Sequence, residues 1–282
     1  MTTPLRFILF VLLAIGLCTT AVAADASAGT SPLKVAGLMY RPVKWDKDAN
    51  TSKLETAIRQ AKKDGARLIV TPEGALEGYL VNDVRKATGK RRQKLTERFN
   101  QIAEPIDGPH IRQFQKLCKE LHVFLVLGFL EKDGEKTYNT AVLLGPEGAI
   151  VGKYRKTHFA QGYEMGEKKG DNPAGYTRGT EYPVFEVAGH KLGIMICYDR
   201  RVPKVAKRLA ENGADLIVNP AYGMMGDCNR DFIASRAKEN RVPVLFVHPN
   251  QAILATADGK IEVDARPEKD DSRACHVEIN GH

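Results

Sequence analysis

The sequence predicts an α/β fold, and three observations carry that prediction. Short β-branched runs alternate with stretches whose apolar residues recur at helical spacing. Asp-Gly and Asn-Gly stops fall between them. In the middle of the chain the order changes to strand–turn–strand, so hairpins join the crossovers and the sheet system is mixed.

Taken in order, Leu33–Met39 reads as the first buried strand. Leu54, Ile58 and Ala61 then lie on one face of a helix that stops at Asp64-Gly65. Arg67–Thr71 is the second strand, and Ile111, Phe114, Leu117, Cys118 and Leu121 form the next helical stripe. Val123–Leu130 follows as a strand. Asn139–Leu144 returns through Gly145-Pro146-Glu147-Gly148 into Ala149–Val151 as a hairpin. Pro183–Val187 turns at Ala188-Gly189-His190 into the strand Lys191–Ile196 as another. Val202, Val205, Ala206 and Leu209 mark a helix closed by Asn212-Gly213, and Ala214–Val218 and Val242–Val247 are the last strands. The charged, glycine-bearing stretch from Gln161 to Gly179 is a long loop, and long loops in compact domains are often functional.

Ahead of these elements, Met1–Arg6 is a short basic lead and Phe7–Leu17 an apolar run. Ala21-Val22-Ala23 supplies small residues for cleavage. This is the layout of a secretory signal peptide over residues 1–23, followed by a flexible lead over 24–32 and a single domain over 33–282. The apolar run is shorter than the ~20 residues of a membrane span, so no stable span is expected after cleavage; an uncleaved anchor is the other reading. Leu17 before Cys18 is larger than a lipoprotein site prefers. A secreted or periplasmic location follows as the expectation.

The formal charge is +8, and seven of the fourteen residues from Arg85 to Arg98 are Lys or Arg. No aromatics are interleaved to stack on bases, so a solvated helix face is expected and no nucleic-acid partner. Cys118, Cys197, Cys228 and Cys275 have no paired spacing, so no metal site is expected. In an oxidising compartment at most one bridge could form among the three other than Cys197.

Three stretches carry chemistry. Cys197 ends the strand Gly193-Ile194-Met195-Ile196 and precedes Pro203, which suits the first turn of a helix. A thiol at such a strand-to-helix turn is held exposed and rigid beside backbone N–H groups, and the helix end would lower its pKa. Taken alone, a buried structural cysteine reads equally well. Glu73 follows the strand Arg67–Thr71, where a general base could act or a helix cap could sit. Lys156 lies in Gly152-Lys153-Tyr154-Arg155-Lys156-Thr157-His158-Phe159, a solvated edge or a fixed charge for an oxyanion.

Together these stretches resemble the nitrilase superfamily of carbon–nitrogen hydrolases. Thr71–Tyr79 is similar to its glutamate block, Gly152–Phe159 to its lysine block and Gly193–Pro203 to its cysteine block, in the family's order. Val35-Ala36-Gly37, Ala49-Asn50, Asp215–Pro220 and Arg236–Asn240 match further signatures. The resemblance implies a four-layer α-β-β-α sandwich, often paired into homodimers, and no metal or organic cofactor. It implies Glu73 as general base, Cys197 as nucleophile, and Lys156 with the Tyr198 backbone N–H as oxyanion donors, acting on a small-molecule amide or carbamoyl substrate. It also implies a second glutamate, with Glu164 the best fit and Glu167 the fallback. Lys204 departs from the family's usual glutamate, and the part after Asn250 reads as shortened.

Tyr79, Tyr198, Arg200 and Arg201 are the substrate-binding candidates. The paired arginines are similar to those of N-carbamoyl-amino-acid hydrolases, and an arginine fork suits a carboxylate; a structural Arg pair with Asp199 or Asp215 is the other reading. Acyl transfer on the same site and a catalytically silent binding module are the competing functions.

Overall fold

The computed structural model describes residues 32–166, 168–223, 226–267 and 273–280. The segment read as a signal peptide, with Cys18, lies outside them, as does Glu167. Among the described residues no helix is long and apolar enough to cross a membrane.

The first half runs β1 (Leu33–Met39), α1 (Lys47–Lys63), β2 (Leu68–Val70), α2 (Val81–Lys86), α3 (Gly89–Ile102), α4 (Pro109–Leu121), β3 (Phe124–Asp133), β4 (Lys136–Leu144) and β5 (Ile150–Arg155). The second runs β6 (Val184–Val187), β7 (His190–Ile194), a 3-10 turn (Cys197–Arg201), α5 (Pro203–Glu211), β8 (Leu216–Pro220), α6 (Cys228–Asn240), β9 (Val244–His248), β10 (Gln251–Ala255), β11 (Ile261–Ala265) and β12 (Arg273–Ile279).

Two six-stranded mixed sheets result, in the orders β12-β1-β2-β3-β4-β5 and β11-β10-β9-β8-β7-β6. In each, the central strands are parallel and flanked by antiparallel ones. The segment after His248 forms the β10–β11 hairpin on one sheet and then crosses back as β12. There it pairs along all of β1, from Leu33 opposite Ile279 to Met39 opposite Arg273.

Side chains alternate across the first sheet with the strand period of two. Ala36, Leu38, Ile69, Leu125, Leu127 and Val142 pack with Leu54, Ile58, Ile111 and Phe114 of α1 and α4. Val35, Met39, Leu68, Val70, Val126 and Ala141 turn the other way, into a cluster shared with Val218, Phe246 and Val247. That cluster continues to Val205 and Leu209 of α5 and Ile233 and Ala237 of α6. The layers are therefore helix, sheet, sheet, helix.

Local signals set the helix ends. Asp46 caps α1 by accepting from the Ala49 N–H at 2.9 Å, and Gly65, at φ +97°, releases the chain into β2. Pro109 and Pro203 open α4 and α5. On α3, Lys90, Arg91, Arg92 and Lys94 are exposed and only Phe99 is buried, so that ring is not available to stack on a base.

β1 runs over the second sheet at close range. Gly37 permits it, since a Cβ there would lie 2.9 Å from Val247 Cγ2. The stiff β-branched valine cannot swing away. Gly37→Ala is therefore expected to destabilise the protein by about 1–3 kcal/mol. It should lower the urea midpoint at an unchanged slope, and a midpoint equal to the parent's would show that the sheets have slack here.

Candidate active site

The turn after β2 carries Glu73 to the end of the first sheet, and several contacts fix it there. Thr71 Oγ1 accepts from the Gly128 N–H at 2.9 Å, and Leu76 N donates to Gly128 O at 3.2 Å. Asn50 Nδ2, reaching from α1, donates to Leu76 O at 2.9 Å. Gly128 is needed for this approach: a Cβ there would sit 2.4 Å from Pro72 O and 3.1 Å from Glu73 Cα. The Glu73 carboxylate then accepts from Asn139 Nδ2 at 2.7 Å and from the Tyr222 N–H at 3.0 Å.

Lys156 leaves the end of β5 fully buried, with its N–H on Asn139 O at 2.9 Å. Its ammonium donates to Glu73 Oε1 at 2.8 Å and to Glu164 Oε1 at 2.5 Å. Glu164 is presented by a tight turn in which its N–H reaches Ala160 O at 2.9 Å. Its free carboxylate oxygen accepts from the Ala160 N–H at 3.0 Å. Glu164, the best-fitting second glutamate, thus joins Glu73 on one ammonium.

Cys197 begins the 3-10 turn after β7 with φ +47°, a left-handed conformation that costs a non-glycine residue free energy. Asp199 holds the turn in that shape. Wholly buried, it accepts from the Ile196 N–H at 3.0 Å and Tyr154 Oη at 2.8 Å. It also accepts from Thr157 Oγ1 at 3.0 Å and the His158 N–H at 2.9 Å. Tyr154, Thr157 and His158 flank Lys156, so one carboxylate ties the lysine segment of the first sheet to the cysteine turn of the second.

Cys197 and Glu164 line a narrow cavity of ≈ 40 Å³ with Tyr79, Ala160, Tyr163, Tyr198, Arg200, Arg201 and Gly223. Tyr79, itself at φ +52°, stacks on Tyr222 at 4.6 Å between ring centroids. The two arginines diverge. Arg201 is exposed and lies over the rings of Tyr198 and Phe232 at 5.4 and 5.1 Å. Arg200 is buried, with Nη1 3.5 Å from Cys197 Sγ and Nη2 donating to Asn229 Oδ1 at 2.8 Å. Asp199 has the partners above, and Asp215 Oδ1 accepts from the Lys191 N–H, so neither acid is matched to an arginine. Larger surface clefts, of ≈ 360 Å³ beside Arg85 and Asp171 and of ≈ 910 Å³ beside Lys207 and Glu239, have no cysteine in their walls.

The electrostatics correct one expectation. The Cys197 thiol is shifted up: burial and then the Glu73 carboxylate raise it, and Lys156 and Arg200 pull it down without prevailing. Burial also pushes Glu164 up to about 7, against the opposing pull of Lys156. Lys156 is held charged because Glu164 and Glu73 outweigh its desolvation. Glu77, behind Glu73, is raised to about 7, mainly by burial, and accepts from the Leu130 N–H at 3.0 Å.

Asn139, Tyr222, Asp199 and Asn229 do work that sequence reasoning did not assign. Asn139 opens a predicted strand, a cue to its place at the site. Tyr222 holds Glu73 through its backbone, which leaves no side-chain signal. Cys118, Cys228 and Cys275 are free thiols. Among the described residues no group of three His, Cys, Asp or Glu side chains could hold a metal ion.

A carbon–nitrogen hydrolase family model matches residues 34–274. A nitrilase of Pyrococcus abyssi is 34% identical over 210 residues, 74% of this chain and 72% of that protein. N-carbamoylputrescine amidase of Solanum lycopersicum is 31% identical over 176 residues, 62% of this chain and 54% of the relative. Among solved structures, Saccharomyces cerevisiae Nit3, described as a member of branch 10 of the nitrilase superfamily, matches with a TM-score of 0.70. It is 23% identical, and the match covers 88% of this chain and 90% of that one.

Two stability measurements test the site's construction. Asp199→Asn puts an amide where four donors converge, leaving buried donors unpaired. A loss of about 1–3 kcal/mol is expected in denaturant unfolding; an unchanged free energy would show that Asp199 is not the tie between the sheets. Glu77 keeps its proton in the folded state up to about 7, whereas an unfolded carboxyl loses it near 4.5. Between those values the native state binds more protons, so this group makes stability fall as pH rises. The advantage of Glu77→Gln over the parent should therefore grow across that window, and a pH-independent difference would contradict the assignment.

Proposed function

The chain belongs to the carbon–nitrogen hydrolase family of the nitrilase superfamily, and on that premise we propose that it hydrolyses amide or carbamoyl compounds through an acyl-enzyme on Cys197. The observation that carries the proposal is the buried Glu73–Lys156–Glu164 cluster, whose Glu164 lines one narrow cavity together with Cys197.

In this mechanism Glu73 takes the proton of the Cys197 thiol, and the sulfur attacks the carbonyl carbon. The oxyanion that forms is stabilised by the Lys156 ammonium and the Tyr198 N–H. Collapse of the tetrahedral intermediate expels ammonia or an amine, which receives the proton from Glu73, and leaves a thioester. Glu73 then deprotonates a water that attacks the thioester, and the acid and the thiol are released. Glu164 holds the ammonium in place and sets the charge beside the sulfur. The raised thiol keeps the resting site protonated, so the proton transfer to Glu73 belongs to the attack step.

For the substrate we infer a carboxylate-bearing amide or N-carbamoyl compound. Arg201 stands exposed in the cavity wall, with its guanidinium over the rings of Tyr198 and Phe232. The tyrosines Tyr79 and Tyr198 supply flat apolar walls. N-carbamoylputrescine amidase is named for a carbamoyl compound, which agrees with the carbamoyl group of that class and does not bear on its carboxylate. The N-terminal signal-like segment supports action in the periplasm or outside the cell, and a homodimer is the assembly the resemblance favours.

The test is ammonia release from a panel of simple amides, N-carbamoyl amino acids and nitriles, with Cys197→Ala as the blank. Release that is lost in the variant supports the hydrolase; release that persists refutes Cys197 as nucleophile. Glu73→Gln should lower kcat on the order of 10²–10⁴-fold. Arg201→Ala should raise KM for acidic amides more than for neutral ones; an equal rise for both would remove the carboxylate from the proposal.

A further inference from the structure

Arg200 is a guanidinium with 1% exposure that forms no salt bridge among the described residues. Its Nη2 donates to the neutral Asn229 side chain at 2.8 Å, and its Cζ lies 5.2 Å from the Phe246 ring centroid. Its Nε is buried without a hydrogen-bond partner among the described residues. Its Nη1 lies 3.5 Å from Cys197 Sγ. A buried cation is costly unless an anion offsets it, and the group in line to become that anion is the sulfur.

Charges act on the sulfur in opposite senses: Glu73 and Glu164 raise the thiol, and Lys156 and Arg200 lower it. Glu73 approaches from the turn after β2, Lys156 from the end of β5 and Glu164 from the 160–166 turn. Arg200 comes from the cysteine's own turn, beside the neutral Tyr79. On the far side of Arg200 stand Asn229 of α6 and His248 of β9, which is kept neutral by burial with a value of about 4. The buried Asp199 carboxylate of the same turn is taken up by Tyr154, Thr157 and two backbone N–H groups, and from α6 the Arg236 guanidinium donates to the Arg200 carbonyl at 3.1 Å. Moving the thiol proton to Glu73 replaces one anion by another and leaves the sum unchanged. Without Arg200 one of the two cations that lower the thiol is lost, and each thiolate would form with less to offset it.

We propose that Arg200, oriented by Asn229, is a positioning residue for the thiolate: the second buried cation, after Lys156, that makes the Cys197 sulfur anion attainable. The inference rests on the reading of Cys197 as nucleophile, and it separates the two arginines, leaving Arg201 to meet substrate. It also explains why Arg200 is turned inward toward α6 and its neighbour Arg201 outward.

The test is the pH profile of iodoacetamide alkylation in the full protein, followed at Cys197 by peptide mass so that the exposed Cys228 does not contribute. In Arg200→Met the midpoint should rise by about one pH unit, about a tenfold loss of thiolate at neutral pH. Arg200→Lys should recover part of it. Asn229→Asp, which gives the guanidinium a carboxylate of its own, should also raise the midpoint, and it decides the matter if Arg200→Met does not fold. Profiles like the parent's in the folded variants would overturn the proposal, even where KM rises. Ammonia release is measured beside them. A parent that releases none while the variants shift the profile would sink the hydrolase reading and leave the role of Arg200 standing.

Discussion

Lys156 brings a positive charge to a place where water cannot solvate it, and most of the architecture around the cavity follows from meeting that demand. A buried ammonium is tolerated only when carboxylates stand within hydrogen-bond reach and their own remaining lone pairs are used. Glu73 and Glu164 meet the first condition. Asn139, the Tyr222 N–H and the Ala160 N–H meet the second. Those partners come from separate parts of the chain, and Tyr222 follows β8 of the second sheet, so the cluster forms only when both sheets are assembled. Asp199 and the close passage at Gly37 keep the sheets in that relation.

The same constraint explains the chemistry. A hydrolase that uses a thiol needs the sulfur anionic at attack, and here the thiol is protonated at rest. Burial and Glu73 hold the resting thiol up, and the cations lower the cost of the anion once the proton moves. The left-handed conformation of Cys197 adds a strained, fixed geometry, so the sulfur does not relax away from the cavity.

Much of this was legible in the chain. The strands β1 to β3, the helices α1, α4 and α5 and both central hairpins announce themselves by apolar spacing and by Gly, Asn and Pro stops. α6 does not, because its buried face mixes Asn229 and Arg236 with Ile233 and Ala237 and so has no apolar stripe. The strands after His248 are short, and β12 pairs with the distant β1, a partnership that local pattern does not encode. At the site, Glu73, Lys156, Cys197 and Glu164 were visible as blocks, and the structure brings them together. Hidden were contacts made through backbone, such as the Tyr222 N–H, and the direction of the thiol's shift. Sequence placed cations near Cys197 but gave no measure of its burial, and burial wins. The adjacent arginines read as one fork; in the turn their side chains leave in opposite directions, one to Asn229 and one to the rim.

The most direct test of the central claim, that Cys197 carries the acyl group, is intact mass measured after rapid acid quench during turnover of the best amide. The account predicts an adduct equal to the substrate less its amine, localised to Cys197 and absent from Cys197→Ala. Turnover with an unmodified Cys197, or with an adduct on another residue, would contradict it.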